Sequence, residues 1–315
     1  MTIQFDGKVA IVTGAGAGLG RSHALALAAR GAKVVVNDLG GDRRGEGGSL
    51  SAAEKVVQEI EAAGGEAIAD GANVTKPEEV DAMVKATMDK WGRIDILVNN
   101  AGILRDKTFA KMTLDDFRAV IDVHLIGSTI CTHAVWPIMR ERQYGRVLCT
   151  SSPSGLHGIF GQANYGAAKS GMIGFMNALH LEGAKYNIRI NLLSPSAKTR
   201  MTEDIGIPDV ALDLMTPEAI TAGALYLVSE EAPSRAILAC SAGGYARAYV
   251  IETDGIYLPP ENQTPEEIAA HWDEISSTEN VHYFESSAGS GQRFITKALQ
   301  HMGHEGPVPT RGRKS

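Results

Sequence analysis

The 315-residue chain is poor in aromatic residues, at 6%, holds only three cysteines and shows no surplus of positive charge. Each shortage excludes something. A formal net charge of -7 argues against a general nucleic-acid binder, because phosphate contacts are made by a basic excess, so no nucleic-acid partner is expected. Cys131, Cys149 and Cys240 lie far apart without metal-ligand or redox spacing. They read as packing residues in a reduced compartment, and no metal is expected. Residues 1–8 are polar, and no signal-like or bilayer-length apolar stretch stands out, so the expectation is a cytoplasmic protein with no membrane partner. Gly312-Arg313-Lys314-Ser315 is not the Ser-Lys-Leu peroxisomal address.

What the chain has is aliphatic and small residues, within a hydrophobic content of 44%, the composition of a buried parallel sheet packed by helices. Short apolar runs at Val9–Val12, Lys33–Asn37, Glu66–Ala69, Ile94–Val98, Arg146–Thr150 and Arg189–Leu193 alternate with amphipathic stretches. That alternation predicts an α/β, doubly wound parallel sheet of Rossmann type in a single domain, residues 1–258, followed by a C-terminal helical extension, 259–303, and a disordered tail, 304–315. Leu50, Ala53, Val56, Val57 and Ile60 give one helix face, stopped by Gly64-Gly65. Capping boxes are expected at Thr75-Lys76-Pro77-Glu78 and Thr113-Leu114-Asp115-Asp116, and further helix starts at Thr216-Pro217-Glu218 and Thr264-Pro265-Glu266. The last of these places Ile268, Trp272 and Ile275 on one face. Met201, Ile205, Ile207, Leu212, Leu214 and Met215 form an irregular apolar segment, either a lid over a greasy substrate or a surface loop with core anchors.

The run Thr13-Gly14-Ala15-Gly16-Ala17-Gly18-Leu19-Gly20 joins the first strand to the first helix. A helix start offers unpaired N–H groups and the positive dipole end, so Gly14, Gly18, Leu19 and Gly20 are placed to receive a pyrophosphate where no Cβ blocks it. Asp38 ends the second strand about 20 residues later, the spacing of a carboxylate that accepts from the adenosine ribose. A 2′-phosphate there meets like charge, so NAD is expected over NADP, with Arg43 and Arg44 in the next loop as the counter-argument. Asn99-Asn100-Ala101-Gly102 ends the fourth strand, at the edge where ligands gather.

Tyr165 and Lys169 share a helix face. A phenol is a poor base at neutral pH, and an adjacent ammonium is expected to favour its phenolate, readying Tyr165 to take an alcohol proton. Lys169 is also placed to hold the nicotinamide ribose. Ser152, just past the fifth strand, offers a hydroxyl to the same oxygen, with Ser151 and Ser154 as flanking loop hydroxyls.

These motifs, in this order and spacing from Lys8 to about Thr202, resemble the short-chain dehydrogenase/reductase family. The resemblance implies that Ser152 polarises the substrate, Tyr165 is the acid/base and Lys169 holds the cofactor. It implies further that Asn99, Asn73, Val74 and Pro195 belong to the cofactor site. Within the family, Val36-Asn37-Asp38-Leu39-Gly40-Gly41-Asp42, Asn99 to Asp106, Phe160-Gly161-Gln162-Ala163-Asn164-Tyr165 and Arg200-Met201-Thr202 are similar to the (3R)-hydroxyacyl-CoA dehydrogenase branch, which also shares the segment from Thr264 to Ile275. His124 stands where most members place a relay Asn, either in that role or as an ordinary core histidine. Asn73 replaces an Asp that many relatives use near adenine, Pro195-Ser196 replaces Pro-Gly, and Pro153 and Lys198 are unusual for the branch.

The resemblance implies oxidation of a secondary alcohol on a hydrophobic lipid or steroid-derived molecule, most simply a (3R)-hydroxyacyl-CoA. A 17β-hydroxysteroid dehydrogenase acting on free steroid and a non-catalytic NAD-binding sensor are the alternatives. Arg105, Lys107 and Lys111 are the candidate cations for CoA phosphates, or else a solvated face. A homodimer or homotetramer is the expected assembly.

Overall fold

The computed structural model describes residues 2–42, 44–196 and 213–304. Arg43, Lys198, the Arg200 to Thr202 motif, residues 201–212 of the apolar segment and nearly all of the expected tail lie outside them. The chain forms two compact units, Met1–Ala248 and Tyr249–Ser315. The first ends before the boundary expected at residue 258.

The first unit is built on strands β1 (Val9–Thr13), β2 (Lys33–Asn37), β3 (Glu66–Asp70), β4 (Ile96–Asn99), β5 (Gly145–Thr150), β6 (Ile188–Ser196), β7 (Ile237–Ser241) and β8 (Gly244–Ala248). They form one sheet in the order β3-β2-β1-β4-β5-β6-β7-β8, parallel except for β8. Alternate side chains enter opposite layers: Ala10, Val12, Val34, Val36, Ile96 and Val98 join one core, and Ile11, Val35 and Leu97 the other. Such burial on both faces is why these segments read as unbroken apolar runs. The order reverses between β1 and β4, and a crevice opens there at the carboxyl edge.

Helices α1 (Gly18–Ala28), α2 (Ser51–Ala62), α3 (Pro77–Trp91), α4 (Leu114–Ile121), α5 (Gly127–Glu141), α6 (Pro153–His157), α7 (Ala163–Gly183) and α8 (Pro217–Leu227) complete the unit among the described residues. Thr113 and Thr216 cap as expected, accepting from the N–H groups of Asp116 and Ala219. The Thr75 box is corrected. Lys76 occupies the N-cap of α3 with no side-chain cap, because the Thr75 hydroxyl is turned onto Asn73.

The expectation of no bilayer-length apolar stretch is also corrected. The continuous helical run Leu114–Glu141 meets that test by length and composition, with a mean hydropathy of 1.3 over 18 residues. Its apolar face is spent on the core, where Val120, Cys131, Val135 and Met139 are buried.

The second unit holds a two-stranded antiparallel pair, β9 (Glu252–Thr253) with β10 (Val281–His282), and helices α9 (Pro265–Ala270), α10 (Trp272–Ile275) and α11 (Ser287–His301). Thr264 caps α9, accepting from Glu267 N–H. The single helix expected through Ile275 is broken at His271, whose N–H and Nδ1 both engage the Glu267 carbonyl as its backbone leaves helical angles. Ion pairs stitch this unit, Lys297 to Asp254 at 2.6 Å and Arg293 to Glu252 at 2.9 Å.

Candidate active site

One cavity of about 810 Å³ runs along the crevice, within the range of small-molecule sites. Gly14, Gly18, Leu19, Asp38, Asn73, Val74, Asn100, Ala101, Gly102, His124, Ser152, Tyr165, Lys169 and Pro195 all line it. Sequence reasoning had named each of them. Two others stand behind the wall. Gly20 supports the turn, since a Cβ there would lie 2.1 Å from the Gly14 carbonyl oxygen. The Asn99 amide is buried and donates to Thr132 Oγ1 at 3.0 Å and Cys149 Sγ at 3.5 Å, so the expectation that it lines the cofactor site is corrected.

The glycine turn fits a dinucleotide phosphate. Helix α1 opens at Gly18 with no acidic residue in its first turn, leaving N–H groups and the positive dipole end toward the cavity. Asp38 is oriented by two backbone donors, Gly16 N–H at 2.8 Å and Gly40 N–H at 2.7 Å, one on each carboxylate oxygen. A carboxylate oxygen has a second acceptor site, so both remain open to ribose hydroxyls. Asn100 ties the turn to β4 by donating to the carbonyls of Thr13 and Gly14.

At the other end, Asn164 sets the start of α7. Its Nδ2 donates to the Arg105 carbonyl at 3.1 Å and its Oδ1 accepts from Tyr165 N–H at 2.8 Å. Tyr165 packs against the small apolar cluster of Ile103, Val120 and Ala168. Ser152 is the N-cap of α6, its Oγ accepting from Ser154 N–H at 3.1 Å. The flanking hydroxyls are structural on one side, with Ser151 Oγ donating to the Lys169 carbonyl, while Ser154 Oγ donates to Gln162 Oε1.

Burial decides the titration of the pair. It pushes Tyr165 up to about 12, with a hydrogen bond from Ser152 pulling the other way. It brings Lys169 down to about 7 while the ammonium donates to the Thr150 carbonyl. The expectation that Lys169 favours the phenolate is not met in the Tyr165 titration: Nζ lies 5.5 Å from the ring centroid, and burial sets the direction of the shift.

His124 sits in a π-helical turn, Asp122–Ile126, wedged between α4 and α5. Such bulges recur at functional sites because the extra residue re-aims a side chain. Its ring is edge-on to Tyr165, with centroids 5.1 Å apart. Nε2 lies 2.8 Å from the Ile103 carbonyl oxygen, and Nδ1 is buried without a partner among the described residues. Burial first, and then Lys169, hold the imidazole well below its ordinary pKa. A Cβ on Gly102 would lie 2.2 Å from His124 Cε1, so the glycine makes room for this ring.

Sequence reasoning did not single out the apolar wall of Ile103, Leu104 and Ile159, although the first two lie in the stretch from Asn99 to Asp106. Of the cations considered for CoA phosphates, Arg105 and Lys107 both engage Asp116, at 3.4 and 2.9 Å.

The short chain dehydrogenase family model matches residues 8–208. Peroxisomal multifunctional enzyme type 2 of Mus musculus is 42% identical over 315 residues, covering 98% of this chain and 42% of that protein. The structure of the full-length Drosophila melanogaster enzyme of that name aligns with a TM-score of 0.79 at 34% identity, covering 95% of this chain and 51% of that one. A 7α-hydroxysteroid dehydrogenase complexed with NADH and 7-oxo glycochenodeoxycholic acid aligns with a TM-score of 0.69 at 30% identity, covering 76% and 95%. The chain spans 30% to 65% of the length of the multifunctional relatives it matches. With the glycine turn, the Ser152, Tyr165 and Lys169 constellation and this similarity in agreement, the chain belongs to the short-chain dehydrogenase/reductase family, as an oxidoreductase acting on CH–OH groups.

Proposed function

We propose that the protein uses NAD to oxidise a secondary alcohol on a hydrophobic substrate, and that the substrate is a (3R)-hydroxyacyl-CoA. The observation that carries the chemistry is the joint placement of Ser152, Tyr165 and Lys169 on one cavity wall. The Asp38 carboxylate, held by two N–H groups, supports NAD, since a 2′-phosphate beside it is repelled. Ile103, Leu104 and Ile159 support an apolar substrate chain. The resemblance of Asn99 to Asp106 and Phe160 to Tyr165 to the (3R)-hydroxyacyl-CoA dehydrogenase branch supports the thioester.

Tyr165 Oη takes the alcohol proton as Ser152 Oγ hydrogen-bonds the same oxygen, and the C–H bond of the carbinol gives up its electron pair as hydride. When bound, the oxidised nicotinamide supplies the hydride acceptor and a positive charge that favours the phenolate. Lys169, brought down to about 7, offers the proton a way out of the wall. The reverse reduction uses the same groups.

One observation favours a second reading, a free hydroxysteroid: the similarity to the 7α-hydroxysteroid dehydrogenase. Steady-state kinetics with both cofactors, on (3R)-hydroxyacyl-CoA thioesters and on 17β- and 7α-hydroxysteroids, separates the two. The expected result is a kcat/KM at least about tenfold higher for the thioester, and higher for NAD than NADP. A steroid preference overturns the substrate assignment, and an NADP preference overturns the role given to Asp38.

A further inference from the structure

The loops that follow β2 and β4 meet, although β1 lies between those two strands in the sheet. Their contact therefore bridges the carboxyl end of β1, where the glycine turn begins. Arg105 Nε and Nη2 both donate to the Arg44 carbonyl, each at 3.2 Å, and a Cβ on Gly45 would lie 3.0 Å from Ile103 Cγ2. Asp42, Gly45, Ile103 and Arg105 line the same cavity as Gly14 and Gly18. A dinucleotide that reaches from Asp38 to Tyr165 has to pass between the glycine turn and this bridge.

The two halves of the bridge are held very differently. Arg105 stands on fixed ground: its carbonyl accepts from Asn164 Nδ2 at 3.1 Å, and its Nη1 donates to Asp116 Oδ1 at 3.4 Å, which tie it to the start of α7 and to α4. The other half is an exposed loop closed on itself. Ser49 N–H donates to the Leu39 carbonyl at 3.0 Å and pinches its neck. Beyond the neck, Asp42 Oδ1 accepts from the N–H groups of Arg44 and Glu46 at 2.8 and 2.9 Å, and Asp42 N–H donates to the Glu46 carbonyl at 2.8 Å. Between residues 41 and 48 the hydrogen bonds among the described residues are the loop's own, except the two that Arg105 supplies.

We propose that the loop carrying Asp42, Arg44 and Gly45 is a strap across the dinucleotide site, and that Arg105 is its latch, a positioning residue that sets how fast the dinucleotide enters and leaves. A loop hinged at its neck and tied down by one guanidinium opens when that tie breaks. The inference rests on the dinucleotide reading above and deepens it from which cofactor is held to how it is exchanged.

Arg105→Met removes the latch and keeps the length of the side chain. The probe is NADH, mixed with the full chain in stopped flow and followed by nicotinamide fluorescence, with displacement by excess NAD giving the release rate. The variant is expected to raise the association and release rates each by about fivefold or more, with Kd moving less than either. Were Arg105 only a charge that draws in the phosphates, its loss would slow association instead. Asp42→Ala loosens the turn that presents the Arg44 carbonyl and is likewise expected to speed release, whereas removal of an acidic group acting through charge alone would not loosen an anion. Because both changes act on one contact, Asp42→Ala should add less than about twofold in the Arg105→Met background. An association rate that is unchanged or lower in Arg105→Met overturns the inference, as does an Asp42→Ala release rate within about twofold of wild type. Failure of wild type to bind NADH removes the cofactor reading itself, an outcome distinct from unmoved rates.

Discussion

Arg146 near the start and Thr150 at the end of β5 lie on the same buried strand, yet the hydrogen bonding around them differs sharply. At the amino edge Arg146 is fully buried and donates to the carbonyls of Ser229, Gly145 and Asn187 at 2.8 to 2.9 Å. Beside it Asp95 is gripped by Arg93 through both oxygens, each at 2.7 Å, and by Val9 N–H. At the carboxyl edge His124 Nδ1 and Thr150 Oγ1, both on residues that line the cavity, are buried without partners among the described residues, and Lys169 is brought down to about 7. One edge is finished by the fold, while the other is left for a ligand to finish. Buried polar groups are ordinarily paired, so a cluster of unpaired ones marks where stability has been given up for chemistry.

That contrast breaks most sharply at Arg146. Arg146→Ala leaves several carbonyls unpaired around a cavity and is expected to destabilise the fold by about 3 to 5 kcal/mol. Chemical denaturation checks this, and the kcat of the surviving folded fraction should be unchanged. A loss below about 1 kcal/mol contradicts the picture of a finished edge.

Lys169→Met is expected to act in the opposite direction at the carboxyl edge. The lysine titrates at about 7 in the fold against 10.5 in the unfolded chain. Between those values the unfolded state binds the extra proton, so wild-type stability falls as pH drops from 10.5 to about 7 and is flat below. The variant should lose that slope and gain roughly 2 to 4 kcal/mol at neutral pH while losing turnover. Denaturation curves at pH values across that window check the sign. A variant less stable than wild type at neutral pH refutes it.

The same contrast explains what could be read in advance. Strands β1, β2, β4, β5 and β6 were legible because double-sided burial writes itself as apolar runs, and Lys33–Asn37 matches to the residue, while β3 is a half-buried edge. Strands β7 and β8 were not, because Ile237–Ser241 mixes Ala, Cys and Ser, and β8 is a mostly exposed edge. Their hairpin turns on Ala242 and Gly243, both at positive φ, without the usual Asn-Gly signal. At the site, a fixed spacing revealed Tyr165 and Lys169, whereas their titration depends on desolvation by residues remote in sequence. The π-helical turn under His124 leaves no mark in a periodicity of 3.6, and the apolar wall of Ile103, Leu104 and Ile159 comes from loops with no pattern of their own.

The central claim is that the carboxyl edge carries the reaction through the Tyr165 hydroxyl, and Tyr165→Phe measures it with the loss of one oxygen atom. Dinucleotide affinity should stay within about threefold of wild type while kcat for alcohol oxidation falls by about 100-fold to 10,000-fold. Turnover retained within about tenfold, with the dinucleotide still bound, contradicts the account.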